Sequence, residues 1–216
     1  MIIFGGIYMK YTNIVFDIDG TLIDTEDIIL NSLQKVLKDL HNRNEKKENL
    51  RFALGITGPK ALEVLRVSDN GKTLQTWNEY MQNSSIAIKL FAGIEEVLKK
   101  LKSINIKLGI ITSRTKYEYE EQFVPLGISD YFETIICSED TIKHKPDGEP
   151  MRKYLEISGA VYTKTLYVGD STYDMQCALA EKTDCALALW GCSNPKGIKS
   201  TYTLNSPEDI FDIIKD

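Results

Sequence analysis

Short-spaced cysteine pairs are missing from this sequence, and so is any grouping of cysteine with histidine. The thiols are Cys137, Cys177, Cys185 and Cys192, and only two histidines accompany them in 216 residues. That removes the usual ligand spacings of zinc sites and C-x-x-C redox centres, and the thiols read as reduced core residues. No apolar run is long enough to cross a bilayer. Met1–Tyr8 is apolar but lacks a basic flank and is too short for a secretion signal; Met9-Lys10 would itself serve as a start, so the first eight residues read as a dispensable extension. Excess positive charge is absent as well. With 26 Lys and Arg against 31 Asp and Glu the net charge is -5, and the signs are mixed along the chain, which argues against a nucleic acid polymer as partner. The expectation is a cytoplasmic protein with no membrane partner, monomer or dimer.

What is present is an ordinary globular composition, 43% hydrophobic and 26% charged, enough for one core or for a main domain carrying a smaller insertion. Apolar runs rich in β-branched residues recur at Asn13–Phe16, Ile106–Ile111, Thr134–Cys137, Thr165–Val168 and Cys185–Leu189. Their lack of polar alternation marks buried parallel strands. Helical periodicity separates them near Ile94–Leu101, Lys116–Phe123, Glu149–Ile157 and Asp174–Lys182, and a last helix is expected from Pro207. The pattern predicts an α/β fold with a Rossmann-like parallel sheet. From Thr25 to Ala87 no strand pattern occurs, while Ile28, Ile29, Leu33, Val36, Leu37 and Leu40 share one helical face and further helical pieces follow Pro59 and Lys72. Residues 25–87 are therefore read as an inserted α-helical cap domain, and 1–24 with 88–216 as the core.

Ligands of open parallel sheets bind beyond the carboxyl ends of the strands. Asp17 and Asp19 follow the first apolar run and Thr112 and Ser113 the second; Lys145 lies in the loop after the third, and Asp170 and Asp174 follow the fourth. Carboxylates brought that close repel by about 4 kcal/mol per pair at 4 Å and an effective dielectric near 20, so a cation is required. An all-oxygen set favours magnesium over zinc or copper. The metal reconciles an acidic site with an anionic ligand, while Thr112 and Ser113 offer hydrogen bonds and Lys145 a point charge that suit phosphate. Each piece alone has a plainer reading: Asp19-Gly20 as a turn, Thr112-Ser113 as a helix cap, Gly169-Asp170-Ser171 as a strand end. Their joint occurrence, in order and each at a strand end, points to a site.

With these motifs the chain, from Asn13 to about Trp190, resembles the haloacid dehalogenase-like hydrolase superfamily, in its helical-cap branch that includes phosphoglycolate phosphatases. The four motifs are Asp17-Ile18-Asp19-Gly20-Thr21, Ile111-Thr112-Ser113, Lys145-Pro146-Asp147 and Gly169-Asp170-Ser171-Thr172-Tyr173-Asp174. The resemblance implies that Asp17 is the nucleophile of an aspartyl-phosphate mechanism and Asp19 the acid/base residue. It implies magnesium held by Asp17, the Asp19 carbonyl and Asp170, with Asp174 beside the metal set orienting Lys145, and Gly20 in the substrate-binding turn. Gly148 stands where many relatives have a second proline, a change expected to loosen that loop.

Substrate choice in the family is set by the cap. Arg51 and Lys60, in Arg51–Lys60 with Gly55 and Gly58 between them, are the candidate contacts to a second anionic group, and a small phosphorylated metabolite such as phosphoglycolate, a sugar phosphate or a nucleoside monophosphate is the expected substrate. Three rivals are a sugar phosphomutase, for which a glutamate would be expected where Gly169 stands, a non-catalytic regulatory binding protein, which would be expected to lack a catalytic group, and a dehalogenase. A dehalogenase would need neither the metal nor Asp19.

Overall fold

The computed structural model describes residues 3–4, 7–68 and 71–215, with side chains for 9–68 and 71–215. Its centre is a six-stranded, wholly parallel sheet of β1 (Asn13–Phe16), β2 (Lys107–Ile111), β3 (Thr134–Ile136), β4 (Thr165–Gly169), β5 (Asp184–Ala188) and β6 (Tyr202–Leu204), in the spatial order β6-β5-β4-β1-β2-β3. This is the α/β, Rossmann-like arrangement that the alternation of apolar runs and helical stretches predicts. β6 was not among the predicted strands. It is only three residues long, half exposed at its first position and exposed at its second, so it carries no apolar run.

Burial on both faces explains why the strands read as continuous apolar runs. Side chains alternate between two cores. Ile14 and Phe16 of β1, Leu108 and Ile110 of β2, and Leu166 and Val168 of β4 pack against Ile94, Val97, Leu98 and Leu101 of a helix at Ile94–Ser103. Val15, Ile111, Tyr167 and Leu187 point to the opposite face, toward Met151 and Tyr154 of the helix Glu149–Ser158 and Met175 and Cys177 of the helix Thr172–Ala180.

Between β1 and β2 the chain makes helices at α1 (Glu26–His41), α2 (Gly58–Val64) and α3 (Lys72–Gln82). They enclose a third apolar cluster of their own, with Leu33, Val36, Leu37, Leu50, Leu62 and Trp77. α1 is bounded as its sequence suggests: Glu26 and Asp27 lie in the first turn, Lys38 and His41 in the last, and Asn42 closes the helix in the left-handed region at φ 52°. The passage into and out of these helices runs through an unpredicted two-stranded antiparallel ribbon in which Ile23 pairs with Leu90 and Asp24 with Lys89.

Two further expectations meet the structure differently. Lys116–Phe123 is helical, but only Lys116–Glu118 is α and Tyr119–Phe123 winds as a π-helix. The extension expected to be dispensable lies partly outside the described residues; Ile3–Phe4 pairs with Ile7–Tyr8, and Lys10 N–H donates to Ile214 O at 2.9 Å, tying the start of the core to its end. Among the described residues no helix is long and apolar enough to cross a membrane.

Candidate active site

The strand order reverses at β1, which lies between β2 and β4, so the crevice at its carboxyl end is the topological switch point of the sheet. Asp17 opens that crevice. Its N–H still belongs to the ladder, donating to Val168 O of β4 at 2.9 Å, and its side chain is buried. Lys145 Nζ donates to Asp17 Oδ1 at 2.7 Å and to Asp174 Oδ1 at 2.8 Å. Tyr167, from the middle of β4, donates its hydroxyl to the same Asp174 oxygen at 2.9 Å, and Asp174 Oδ2 accepts from Ser171 N–H and Oγ at 3.1 and 2.5 Å. Asp174 is thus fully engaged in holding Lys145 and in capping its own helix.

Two oxygens break this pattern of pairing. Asp17 Oδ2 and Asp170 Oδ1 are buried with no hydrogen-bond partner among the described residues, although Asp17, Asp170 and Asp174 can bring carboxylate oxygens within 4.8 Å of one another. Gly20, at φ +78°, lets the first loop pass where a Cβ would lie 2.4 Å from Asp170 Oδ2, so the loop is closed down on that carboxylate. An all-oxygen, buried, doubly orphaned set of this kind fits a hard divalent cation.

Asp19 faces a different partner. Arg114 grips it with two bonds of 2.7 Å, Nε to Oδ2 and Nη2 to Oδ1, and Thr25 Oγ1 donates to Oδ1 at 2.7 Å. Arg114 was not among the predicted site residues. It directly follows Thr112 and Ser113 at the end of β2, so the rule that located those two would have reached it one residue further on. Thr112 is buried and its Oγ1 accepts from Arg114 N–H at 3.2 Å; Ser113 Oγ donates to the Gly55 carbonyl of the cap at 3.0 Å. The helix cap after this strand is Thr115, whose hydroxyl accepts from Glu118 N–H.

The family model described as haloacid dehalogenase-like hydrolase matches residues 14–188. The chain belongs to that family. Among curated relatives, "Pyrophosphatase PpaX" of Oceanobacillus iheyensis is 29% identical over 210 residues, covering 95% of this chain and 96% of its own, and "Phosphoglycolate phosphatase" of Aquifex aeolicus is 30% identical over 204 residues, covering 93% and 95%. A crystal structure from Lactobacillus plantarum, of a protein carrying the name "putative phosphoglycolate phosphatase", superposes with a TM-score of 0.86 at 26% identity, covering 94% of this chain and 99% of that one.

In this haloacid dehalogenase-like hydrolase the electrostatics separate the two N-terminal aspartates. Burial, together with the Asp174 and Asp19 charges and against the pull of Lys145, pushes Asp17 up to about 7. Burial and the Asp174 and Asp17 charges push Asp170 well above the usual carboxylate range. Burial acts on Asp19 too, but the Arg114 guanidinium and the Thr25 hydroxyl outweigh it and hold its carboxyl below that range. Lys145 stays protonated, since Asp17 and Asp174 outweigh the cost of burying it. Fully ionised, three carboxylates facing one ammonium would leave the site negative, with repulsion of about 3–4 kcal/mol per pair at this spacing and an effective dielectric near 20, which adds to burial as the cause of the upward shifts at Asp17 and Asp170.

The cap cations are placed elsewhere. Arg51 pairs with Glu26 at 2.8 Å and Lys60 with Glu63 at 2.7 Å, both at the surface, and neither lines the cavity between cap and core, whose charged lining is Asp17, Asp19, Arg114 and Glu118. Lys60 pairs within its own helix and Arg51 with the first turn of α1. Next to Gly148, Glu149 accepts from Ile142 and Lys143 N–H at 2.9 and 3.0 Å and its own N–H donates to Asp147, bonds that tie down the segment that carries Lys145.

Proposed function

We propose that this hydrolase is a magnesium-dependent phosphatase that cleaves a small phosphate monoester or anhydride through an aspartyl-phosphate on Asp17. One observation carries the reading: Asp17 has Oδ1 fixed by Lys145 and Oδ2 buried and unpaired, while the next carboxylate, Asp19, is aimed by two independent contacts. Magnesium held by Asp17, the Asp19 carbonyl and Asp170 would supply positive charge against the phosphoryl oxygens. Asp17 attacks phosphorus, the bond from phosphorus to the leaving oxygen breaks, and Asp19 delivers a proton to that oxygen. Water then attacks the aspartyl-phosphate, Asp19 takes its proton, and inorganic phosphate departs as the Asp17 carboxylate is restored. Lys145 holds the nucleophile and balances charge on the transferring group. The carboxylate form that Arg114 and Thr25 favour at Asp19 is the one the second half needs, and the proton it takes from that water is the one it delivers in the next turnover.

Gly169 supports hydrolysis over phosphoryl transfer between sugar positions. A Cβ there would lie 2.4 Å from Asp174 Cβ, so the glutamate expected of a mutase has no room beside the Lys145 clamp. No catalytic group is missing, which weighs against a purely regulatory protein. Release of inorganic phosphate from p-nitrophenyl phosphate tests the reading. It is expected to require added magnesium, to vanish in Asp17→Asn and to fall by about 10²–10³ in Asp19→Asn; full activity in Asp17→Asn or in excess chelator would sink it.

A further inference from the structure

The first loop of the site is held from two sides. On one, Gly20 faces Asp170, where a Cβ would lie 2.4 Å from Oδ2. On the other it meets Leu189–Gly191, the turn that leaves β5. A Cβ on Gly191 would fall 1.8 Å from the Gly20 carbonyl oxygen and 2.6 Å from its carbon. Gly191 is not in the left-handed region, so its φ does not call for glycine; the close approach of two main chains does.

One residue earlier, Trp190 Nε1 donates to the Thr21 carbonyl at 2.9 Å, while its ring packs against the apolar core that contains Ile14 and Phe16. The turn that carries this pair is itself anchored. Leu189 N–H donates to Leu204 O of β6 at 2.9 Å, and Cys192 N–H to Ala188 O at 3.2 Å. Trp190 and Gly191 therefore offer the first loop a fixed surface.

The peptide between Asp19 and Gly20 lies against that surface. Its N–H donates to Ile23 O at 2.9 Å, and in a planar trans peptide the Asp19 carbonyl points the opposite way. Among the described residues no hydrogen bond ends on that carbonyl, the main-chain oxygen that the proposed function assigns to the cation. Within the loop, Thr21, Leu22 and Ile23 N–H all converge on Ile18 O. Those bonds shape the turn without tying it to Asp170.

We propose that Trp190 and Gly191 are positioning residues of the metal site: together they press the Asp19–Thr21 turn onto Asp170 and so set the distance between the Asp19 carbonyl and that carboxylate. The inference rests on the metal site of the proposed function and adds to it two residues outside the ligand set.

The test follows the melting temperature of the whole chain as magnesium chloride alone is added after chelation, with no substrate present. A cation bound by the folded state raises the melt, and the magnesium needed for a given rise above the chelator melt reports the affinity. Trp190→Phe keeps an aromatic ring and deletes the bond to Thr21. Gly191→Ala drives a methyl group into the Gly20 carbonyl. Trp190→Phe is expected to need about three- to tenfold more magnesium than wild type for the same rise, and Gly191→Ala at least about tenfold more, the scale on which supports of metal ligands act. A clamp that serves stability alone would lower the chelator melt and leave the magnesium requirement where it was. That result in both variants overturns this proposal and leaves the metal reading standing. If Gly191→Ala does not fold, Trp190→Phe decides by itself. A wild-type melt that magnesium leaves in place overturns the metal reading and this proposal with it.

Discussion

The two sides of the crevice solve opposite problems. On the core side polar groups are crowded and nearly all are spoken for: Lys145, Asp174, Tyr167 and Ser171 form one chain of bonds, Arg114, Asp19 and Thr25 another. On the cap side charge is kept at the surface in ion pairs such as Arg51 with Glu26, and the face toward the core is apolar apart from Trp77, Asn78 and glycine backbone. Rigid, over-determined polar contacts suit atoms that must be placed within a fraction of an ångström; a sparse, shaped wall suits choosing among substrates.

That contrast can be broken most forcefully at Lys145. Lys145→Met leaves Asp17, Asp170 and Asp174 without their shared ammonium, and the folded protein is expected to lose about 3–5 kcal/mol, read by urea denaturation in chelator, together with most of its turnover. A loss of stability below about 1 kcal/mol would mean that the core side is not held together by this cluster.

A smaller effect of opposite sign is expected at Asp170. Because its pKa is raised in the folded state, the fold binds that proton more tightly than the unfolded chain does. The group's stabilisation is therefore complete below the unfolded carboxylate range, near pH 4, and is lost as pH rises toward the folded value. In chelator at pH 8, Asp170→Asn should melt higher than wild type by roughly 2–6 °C, as removing 1–2 kcal/mol of strain implies for this size; the gap should narrow at pH 5. Added magnesium should raise the wild-type melt and leave that of the variant in place. Equal melts at pH 8 would remove the electrostatic reason for a cation.

The smallest effects belong to the cap surface. Arg51→Met and Lys60→Met should each change kcat/KM by about twofold or less, the scale of an exposed ion pair. A tenfold rise in KM for either would show that the cap reorients those cations toward the substrate.

The same contrast explains what the sequence discloses. Asp17, Thr112 and Asp170 follow apolar runs closely and Lys145 lies in the loop after one, so a strand-by-strand reading reaches them. The sheet was legible wherever strands are buried on both faces, and not at Tyr202–Leu204 or in the Ile23–Asp24 and Lys89–Leu90 ribbon, where two or three residues carry no periodic signal. Trp77 in α3 has the spacing of an ordinary core residue, and it belongs to the cap's apolar cluster while also lining the cavity. Gln122 falls within the helical stretch Lys116–Phe123, whose sequence gives no sign that the turn widens. Arg51 and Lys60 were attractive as lone cations in a glycine-bearing loop, and pairing with acids distant or adjacent in sequence is what a linear reading does not see.

The ribbon that leads to the cap has a further consequence. Asp24 and Lys89 face each other across it, so the chain re-enters the sheet beside the place it departed. To the sheet, these helices count as the tip of a hairpin whose mouth is already closed. Lengthening, shortening or replacing that tip adds little closure entropy, which grows only logarithmically with loop length, and leaves the register of β1 against β2 untouched. The helices are in this sense an exchangeable cartridge, set on a sheet whose strand ends keep their geometry.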